Sequence, residues 1–221
     1  MVTLEQLYEP ISRELKVYRE KFEAALQHED DLLGQVLGHV RRRNGKMMRP
    51  VLVLLVAREF GTVGEAAYRS AITLELLHTA SLLHDDVVDE SNERRGQSSV
   101  NAVYDNKIAV LVGDYILSTS LEQATLTGSM RIVKRISSLG KLLSDGEVKQ
   151  IANIKNRAIS EQSYYDVIRH KTAELFAACA ELGAVSSQAD ESEISDAHRL
   201  GEIIGMCFQI RDDIFDYFEG S

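Results

Sequence analysis

The sequence is short of the residues that break, staple or anchor chains. Two prolines, Pro10 and Pro50, occur in 221 residues, so little interrupts helix formation over most of the length. Two cysteines, Cys179 and Cys207, are too few for a disulfide framework and lack metal-ligand spacing. They read as buried free thiols in a reducing compartment. Long apolar runs are missing: the longest, residues 51–57, falls far below the roughly 20 residues that cross a bilayer. The start, Met1-Val2-Thr3-Leu4-Glu5, lacks the basic-then-apolar pattern of a secretory signal. A cytoplasmic location and no transmembrane segment are therefore expected. A basic surplus is absent too. The formal charge of −9 argues against a nucleic-acid partner, because a phosphate backbone needs a basic face.

What is present is a globular composition, 44% hydrophobic and 27% charged, long enough for one domain with a sizeable core. Between glycine-rich or polar breaks, apolar residues recur three and four apart. This spacing predicts an all-α chain, with helices over about 4–27, 49–60, 64–89, 101–125, 130–153, 161–182 and 195–217.

One short pattern occurs twice. Asp85-Asp86-Val87-Val88-Asp89 and Asp212-Asp213-Ile214-Phe215-Asp216 share the form Asp-Asp-x-x-Asp, each inside an apolar helical stretch. Positions four apart lie on one helix face, so Asp85 pairs with Asp89 and Asp212 with Asp216. Clustered carboxylates repel one another and are costly to bury without a counter-charge. Hard oxygen ligands with no accompanying thiolate favour Mg²⁺, with Mn²⁺ as a substitute, over zinc. Mg²⁺ keeps open positions for phosphate oxygens, so two such clusters facing across a cavity would hold a diphosphate. A single cluster would equally suit a solvated helix face; the repetition of both pattern and setting favours the metal reading. No Ser-His-Asp or Cys-His set for nucleophilic catalysis is evident.

With these motifs the sequence resembles the trans-isoprenyl diphosphate synthase (polyprenyl synthetase) family, closest to its medium- and long-chain members. The likeness extends to Gly45-Lys46-Met47-Met48-Arg49-Pro50, to the aspartate helix and paired arginines within 75–96, to Lys171-Thr172 and to Gln209. It covers about residue 34 to the end. It implies an isoprenoid-synthase bundle of long, mostly antiparallel helices around a central cavity. It also implies a prenyltransferase that condenses an allylic diphosphate with isopentenyl diphosphate, lengthening a trans-polyprenyl diphosphate and releasing diphosphate. On the family pattern, Asp85, Asp86, Asp89, Asp212, Asp213 and Asp216 hold the metals. Arg94, Lys171, Thr172 and Gln209 serve the allylic diphosphate, and Lys46, Arg49, His78 and Arg95 serve isopentenyl diphosphate. Asp85, Asp86, Asp89, Lys171, Thr172 and Asp212 form the catalytic set, and a homodimer is implied.

Arginine forks and lysine point charges suit two diphosphates on chemical grounds as well. His78, seven residues before Asp85, lies about two turns along the same face. Taken singly, each of these cations could be a surface charge, and a lone histidine is more often structural. Ala80 and Ser81, small residues about one turn before Asp85, with Leu77 a further turn back, are the candidate chain-length residues. In the family, bulky aromatics there close the product pocket early, so a product longer than fifteen carbons is expected. Family members continue past the second aspartate cluster with a lysine- and glycine-containing segment and further helices. Residues 1–221 are thus expected to be a single isoprenoid-synthase domain without that C-terminal part. A non-catalytic partner subunit, a terpene cyclase and a His-Asp phosphohydrolase are the rival readings. The second phosphate-binding set argues against the cyclase, and the second aspartate cluster against the phosphohydrolase.

Overall fold

The computed structural model describes residues 3–29, 31–42, 47–94, 96–156 and 160–219. It is helical almost throughout, as the periodicity predicts, but several expected helices are subdivided. The stretch 4–27 breaks at Pro10 into α1 (Leu4–Tyr8), a 3₁₀ turn (Glu9–Ile11) and α2 (Ser12–Ala25), because proline has no N–H to continue the ladder. Helix α3 (Asp31–Arg42) was not predicted: it carries Gly34 and Gly38, poor helix formers, yet buries Val36, Leu37 and Val40. Helices α4 (Met48–Phe60) and α5 (Glu65–Val88) fall where expected.

A two-residue hairpin, β1 (Glu93–Arg94) with β2 (Gln97–Ser98), turns at Gly96, whose φ of +74° suits glycine. The predicted helix 101–125 is split into α6 (Val100–Tyr104) and α7 (Asn106–Thr125). Asp105, at φ 104°, separates them, and its carboxylate accepts the Ile108 N–H at 3.0 Å as an N-cap. Helix α8 (Met130–Asn156) follows. The expected 161–182 helix comprises α9 (Glu161–Ile168), a π turn (Arg169–Ala173) and α10 (Glu174–Ser186). Helix α11 (Glu191–Glu219) closes the described chain. It opens with a capping box in which Asp190 and Glu193 accept each other's backbone N–H at 2.9 and 2.8 Å.

Contacts between the helices give their directions. His84 packs on Gly113 while Ser120 donates to the Thr73 carbonyl at 2.9 Å, so α5 and α7 run antiparallel. Arg135 reaches Glu181 while Gly146 meets His170, so α8 and α10 are antiparallel. Helix α4 runs parallel to α10: Gly183 rests on Val53, and Ser187 donates to the Ala57 carbonyl at 2.7 Å. The core they enclose includes Leu54, Ile72, Leu76, Ile116, Ile136, Phe176 and Leu182. No described helix is long and apolar enough to cross a membrane.

The cysteines diverge from expectation. Cys179 is fully buried, and burial pushes its thiol up to about 12. Cys207 is exposed. It lies two residues beyond Gly205, which faces α10, and about 200° of helical rotation carries its side chain to the outer side.

Candidate active site

The first aspartate cluster forms the last turn of α5, where exposed carbonyls make the helix end negative and carboxylates unwelcome. Asp85 is half-buried; burial, then the charge of Glu147 on α8, raises its carboxyl to about 6 against the pull of Lys171 and Arg94. Asp89, exposed at the C-cap, adds to the repulsion. Asp86 is buried. The hairpin folds back so that Arg94 Nε donates to Asp86 Oδ1 at 2.6 Å, with the carboxylate side chain 2% exposed and the guanidinium 33%.

The second cluster is placed by a ridge on α11 with four-residue spacing, Gly201, Gly205, Gln209 and Asp213, that lies against α10, the π turn and α9. A Cβ on Gly201 would collide with the Phe176 carbonyl, and one on Gly205 would lie 2.5 Å from Ala173 Cα. The two glycines therefore admit the backbones to closer approach than alanine allows. One and two turns further on, the contact becomes polar. Thr172 Oγ1 donates to Gln209 Oε1 at 2.7 Å, Gln209 Nε2 donates to Asp213 Oδ1 at 2.8 Å, and Tyr164 OH donates to Asp213 Oδ2 at 2.6 Å. Partial burial and this bond to Asp213 push the Tyr164 phenol up to about 12. Asp212, next in sequence, receives Arg211 Nη2 at 2.9 Å, and Asp216 is exposed.

Lys171 and Thr172 sit within the π turn, a helical irregularity frequent at functional sites. The turn carries the Lys171 ammonium onto α8, where it donates to Glu147 at 2.8 Å and to Gln150 at 3.2 Å.

A cavity of about 720 Å³ runs between the clusters, lined by Asp86 from the first and Asp212 from the second, with Arg49, His78, Glu75, Arg94 and Arg211. Two rings stand on its wall between two cations. Phe176 and Phe208 lie 5.4 Å apart, Arg49 sits 5.2 Å over Phe176, and Arg211 sits 5.2 Å over Phe208. Cation–π contacts of this kind hold guanidiniums in place without neutralising them.

Residues 30–221 match the family model described as polyprenyl synthetase. The chain belongs to the polyprenyl synthetase family. It is 34% identical over 216 residues to the octaprenyl diphosphate synthase of Escherichia coli (strain K12), covering 98% of this chain and 67% of that protein. A decaprenyl diphosphate synthase from Rhodobacter capsulatus superposes with a TM-score of 0.92 at 36% identity, over 97% of this chain and 66% of that one. A geranylgeranyl pyrophosphate synthase from Bacteroides thetaiotaomicron gives a TM-score of 0.83 at 49% identity, over 98% and 66%. The chain thus spans about two thirds of the length of these relatives.

Within this polyprenyl synthetase fold, the residues singled out by sequence fall into groups. Of the first cluster, Asp86 lines the cavity, and His78 does so beside it; Asp85 belongs with Lys171 and Glu147. Arg49, Arg94 and Asp212 face the cavity; Thr172, Gln209 and Asp213 form the hydrogen-bonded row beside it. Lys46 and Arg95 lie outside the described residues. Leu77 and Ala80 are buried and Ser81 half-buried on α5, and none of the three lines this cavity. Sequence reasoning missed Glu147, Gln150, Tyr164 and Arg211. The first three carry no motif of their own and are recruited by helices that pack alongside. Arg211, directly before Asp212, could have been found as a cation adjoining the cluster.

Among the described residues, no three histidine, cysteine or carboxylate side chains close on one point. The donor set nevertheless fits a hard divalent cation with an incomplete protein shell. A half-buried Asp85 is crowded by Glu147 and Asp89 at a negative helix end, a repulsion that a cation would relieve.

Proposed function

We propose that this protein is a Mg²⁺-dependent trans-prenyltransferase that joins an allylic diphosphate to isopentenyl diphosphate and makes a product longer than fifteen carbons. The observation that carries the reading is the meeting of both Asp-Asp-x-x-Asp segments at one cavity whose wall also holds Arg49, His78 and Arg94. Carboxylates alone would repel a diphosphate, and cations alone would bind one without metal. The combination suits two diphosphates, one that the carboxylates would hold with the help of metal and one that the cations would grip directly.

Asp85, Asp89, Asp212 and Asp216 would hold Mg²⁺, Asp212 with one oxygen already receiving the exposed Arg211, while Asp86 and Asp213 beside them are fixed by Arg94 and by Gln209 and Tyr164. When bound, Mg²⁺ supplies positive charge to the leaving diphosphate. Arg94 and Lys171 add fixed positive charge on the allylic side. Such preorganised charge lowers the barrier to breaking the allylic carbon–oxygen bond. Arg49 and His78, with Lys46 and Arg95, orient isopentenyl diphosphate so that its double bond attacks the allylic carbocation. The adduct then loses a proton, and the released diphosphate is the base. Apolar wall residues such as Phe22, Leu26, Leu82 and Leu83 exclude the water that would quench the cation. A homodimer belongs to the same proposal; the exposed Val110, Leu111 and Leu121 of α7 support it, and sedimentation equilibrium tests it.

The decisive experiment supplies the protein with isopentenyl diphosphate, Mg²⁺ and allylic starters of increasing length, then resolves the products by chromatography. Elongated trans products that vanish with chelator are expected. Ionisation of the starter without elongation would instead favour a cyclase-type activity.

A further inference from the structure

None of the residues in the polar row on α11 lines the cavity, yet the row holds a member of the second aspartate cluster. Both oxygens of Asp213 are engaged, Oδ1 by Gln209 at 2.8 Å and Oδ2 by Tyr164 at 2.6 Å. The Gln209 amide is itself held by Thr172 in the π turn at 2.7 Å. Asp213 thus ties α11 at once to α9 and to the turn that carries Lys171. Asp212 and Asp216 lie about 100° and 60° from Asp213, in the same sense around the helix, so their directions follow from how Asp213 is fixed.

We infer that Tyr164 is a positioning residue: by holding Asp213, its hydroxyl sets the rotation of α11 that aims Asp212 and Asp216 at the first aspartate cluster. The glycine contacts at Gly201 and Gly205 fix how closely α11 approaches and which face it turns to α10 upstream of the cluster. A directional hydrogen bond two turns further on carries that orientation to the aspartates themselves. Tyrosine suits the task because its rigid ring spans the gap between α9 and α11 and places the hydroxyl on Asp213.

This inference rests on the metal-diphosphate reading of the two clusters. Its test uses Mn²⁺ with inorganic diphosphate as the probe, read by electron paramagnetic resonance and accompanied by thermal unfolding. Tyr164→Phe removes one hydroxyl from a half-exposed ring. It should weaken diphosphate-dependent Mn²⁺ binding about three- to tenfold while lowering the unfolding temperature by no more than about 4 °C, the scale of one lost hydrogen bond. Asp213→Asn should weaken binding to a similar degree, and the double variant should be no weaker than Asp213→Asn alone. In turnover, Tyr164→Phe should raise the metal requirement and leave KM for isopentenyl diphosphate unchanged. Wild-type-like Mn²⁺ binding by Tyr164→Phe, or losses that multiply in the double variant, would overturn the inference. Absence of Mn²⁺ binding by the wild-type protein would sink the prenyltransfer reading itself, and this one with it.

Discussion

Replacing Gly205 with alanine tests the close approach of α11 to the π turn. The added Cβ would stand 2.5 Å from Ala173 Cα and 3.1 Å from Phe176 Cβ, so a backbone atom rather than a flexible side-chain end must yield. Separation of the helices by nearly 1 Å is required to restore ordinary van der Waals contact. Overpacking of this kind costs about 1–3 kcal/mol, and the better helix propensity of alanine returns about 0.8–1 kcal/mol. The net loss is then up to about 2 kcal/mol, or up to about 4–8 °C in unfolding temperature for a chain of this size. Gly140, on α8, is the control, because nothing lies within 4 Å of its hypothetical Cβ. Gly140→Ala should hold or raise stability by up to about 1 kcal/mol. Activity should separate the two further, since a displacement of about 1 Å at a reacting site can cost on the order of a hundredfold. Calorimetry and a radiolabelled isopentenyl diphosphate assay provide the readouts. A Gly205→Ala protein as stable as Gly140→Ala would refute the packing argument.

Ser81→Phe should shorten the product on chromatography. It is a cleaner test than Ala80→Phe, because Ala80 is 1% exposed and a phenylalanine there would overpack the core before it reached any product. Arg94→Ala leaves the buried Asp86 carboxylate without its guanidinium. Since Arg94 is one-third exposed, the loss should be about 2–3 kcal/mol by denaturant titration, below the ~3–5 of a fully buried pair. The ion group joining α8, α10 and α11 should appear in the pH profile of stability. The Glu181 hydrogen bond raises His198 above its ordinary 6.5, with Arg135 opposing and Glu174 assisting. That contribution is complete below pH 6.5 and fades as pH climbs through the raised value. For Glu181, burial works against ionisation, but His198 and Arg135 prevail and hold it below 4.5. Its contribution is complete above 4.5 and fades as pH drops through the lowered value. The joint contribution of this pair is therefore greatest between about 4.5 and 6.5, and His198→Gln should flatten the alkaline decline in unfolding temperature relative to wild type; an unaltered profile in that variant would refute the assignment.

The aspartate clusters were legible because they repeat and because charge in an apolar helical setting demands an explanation. His78 was legible through its spacing to the first cluster, and Arg49 and Arg94 through family resemblance. The breaks in the helices were harder. Apolar periodicity tolerates one extra residue, so the π turn at Lys171 passed as continuous helix, and the left-handed Asp105 looked like any polar position within 101–125. Tyr164 and Glu147 left no trace, because their importance comes from neighbours that folding brings to them across α11 and the π turn. Gly201 and Gly205, poor helix formers by propensity, gain their meaning only from Phe176 and Ala173 opposite.

The π turn of Arg169–Ala173 has a consequence for how this segment can change. A five-residue turn is an α-helical turn with one amino acid inserted, so a single-codon deletion there would restore a more regular helix. Because the bulge absorbs its additional residue locally, the same deletion would leave Tyr164 and Glu174 near their present directions and would chiefly turn Lys171 and Thr172 away from Glu147 and Gln209. The surplus residue is thus tied to where these two side chains point rather than to the heading of the helices on either side.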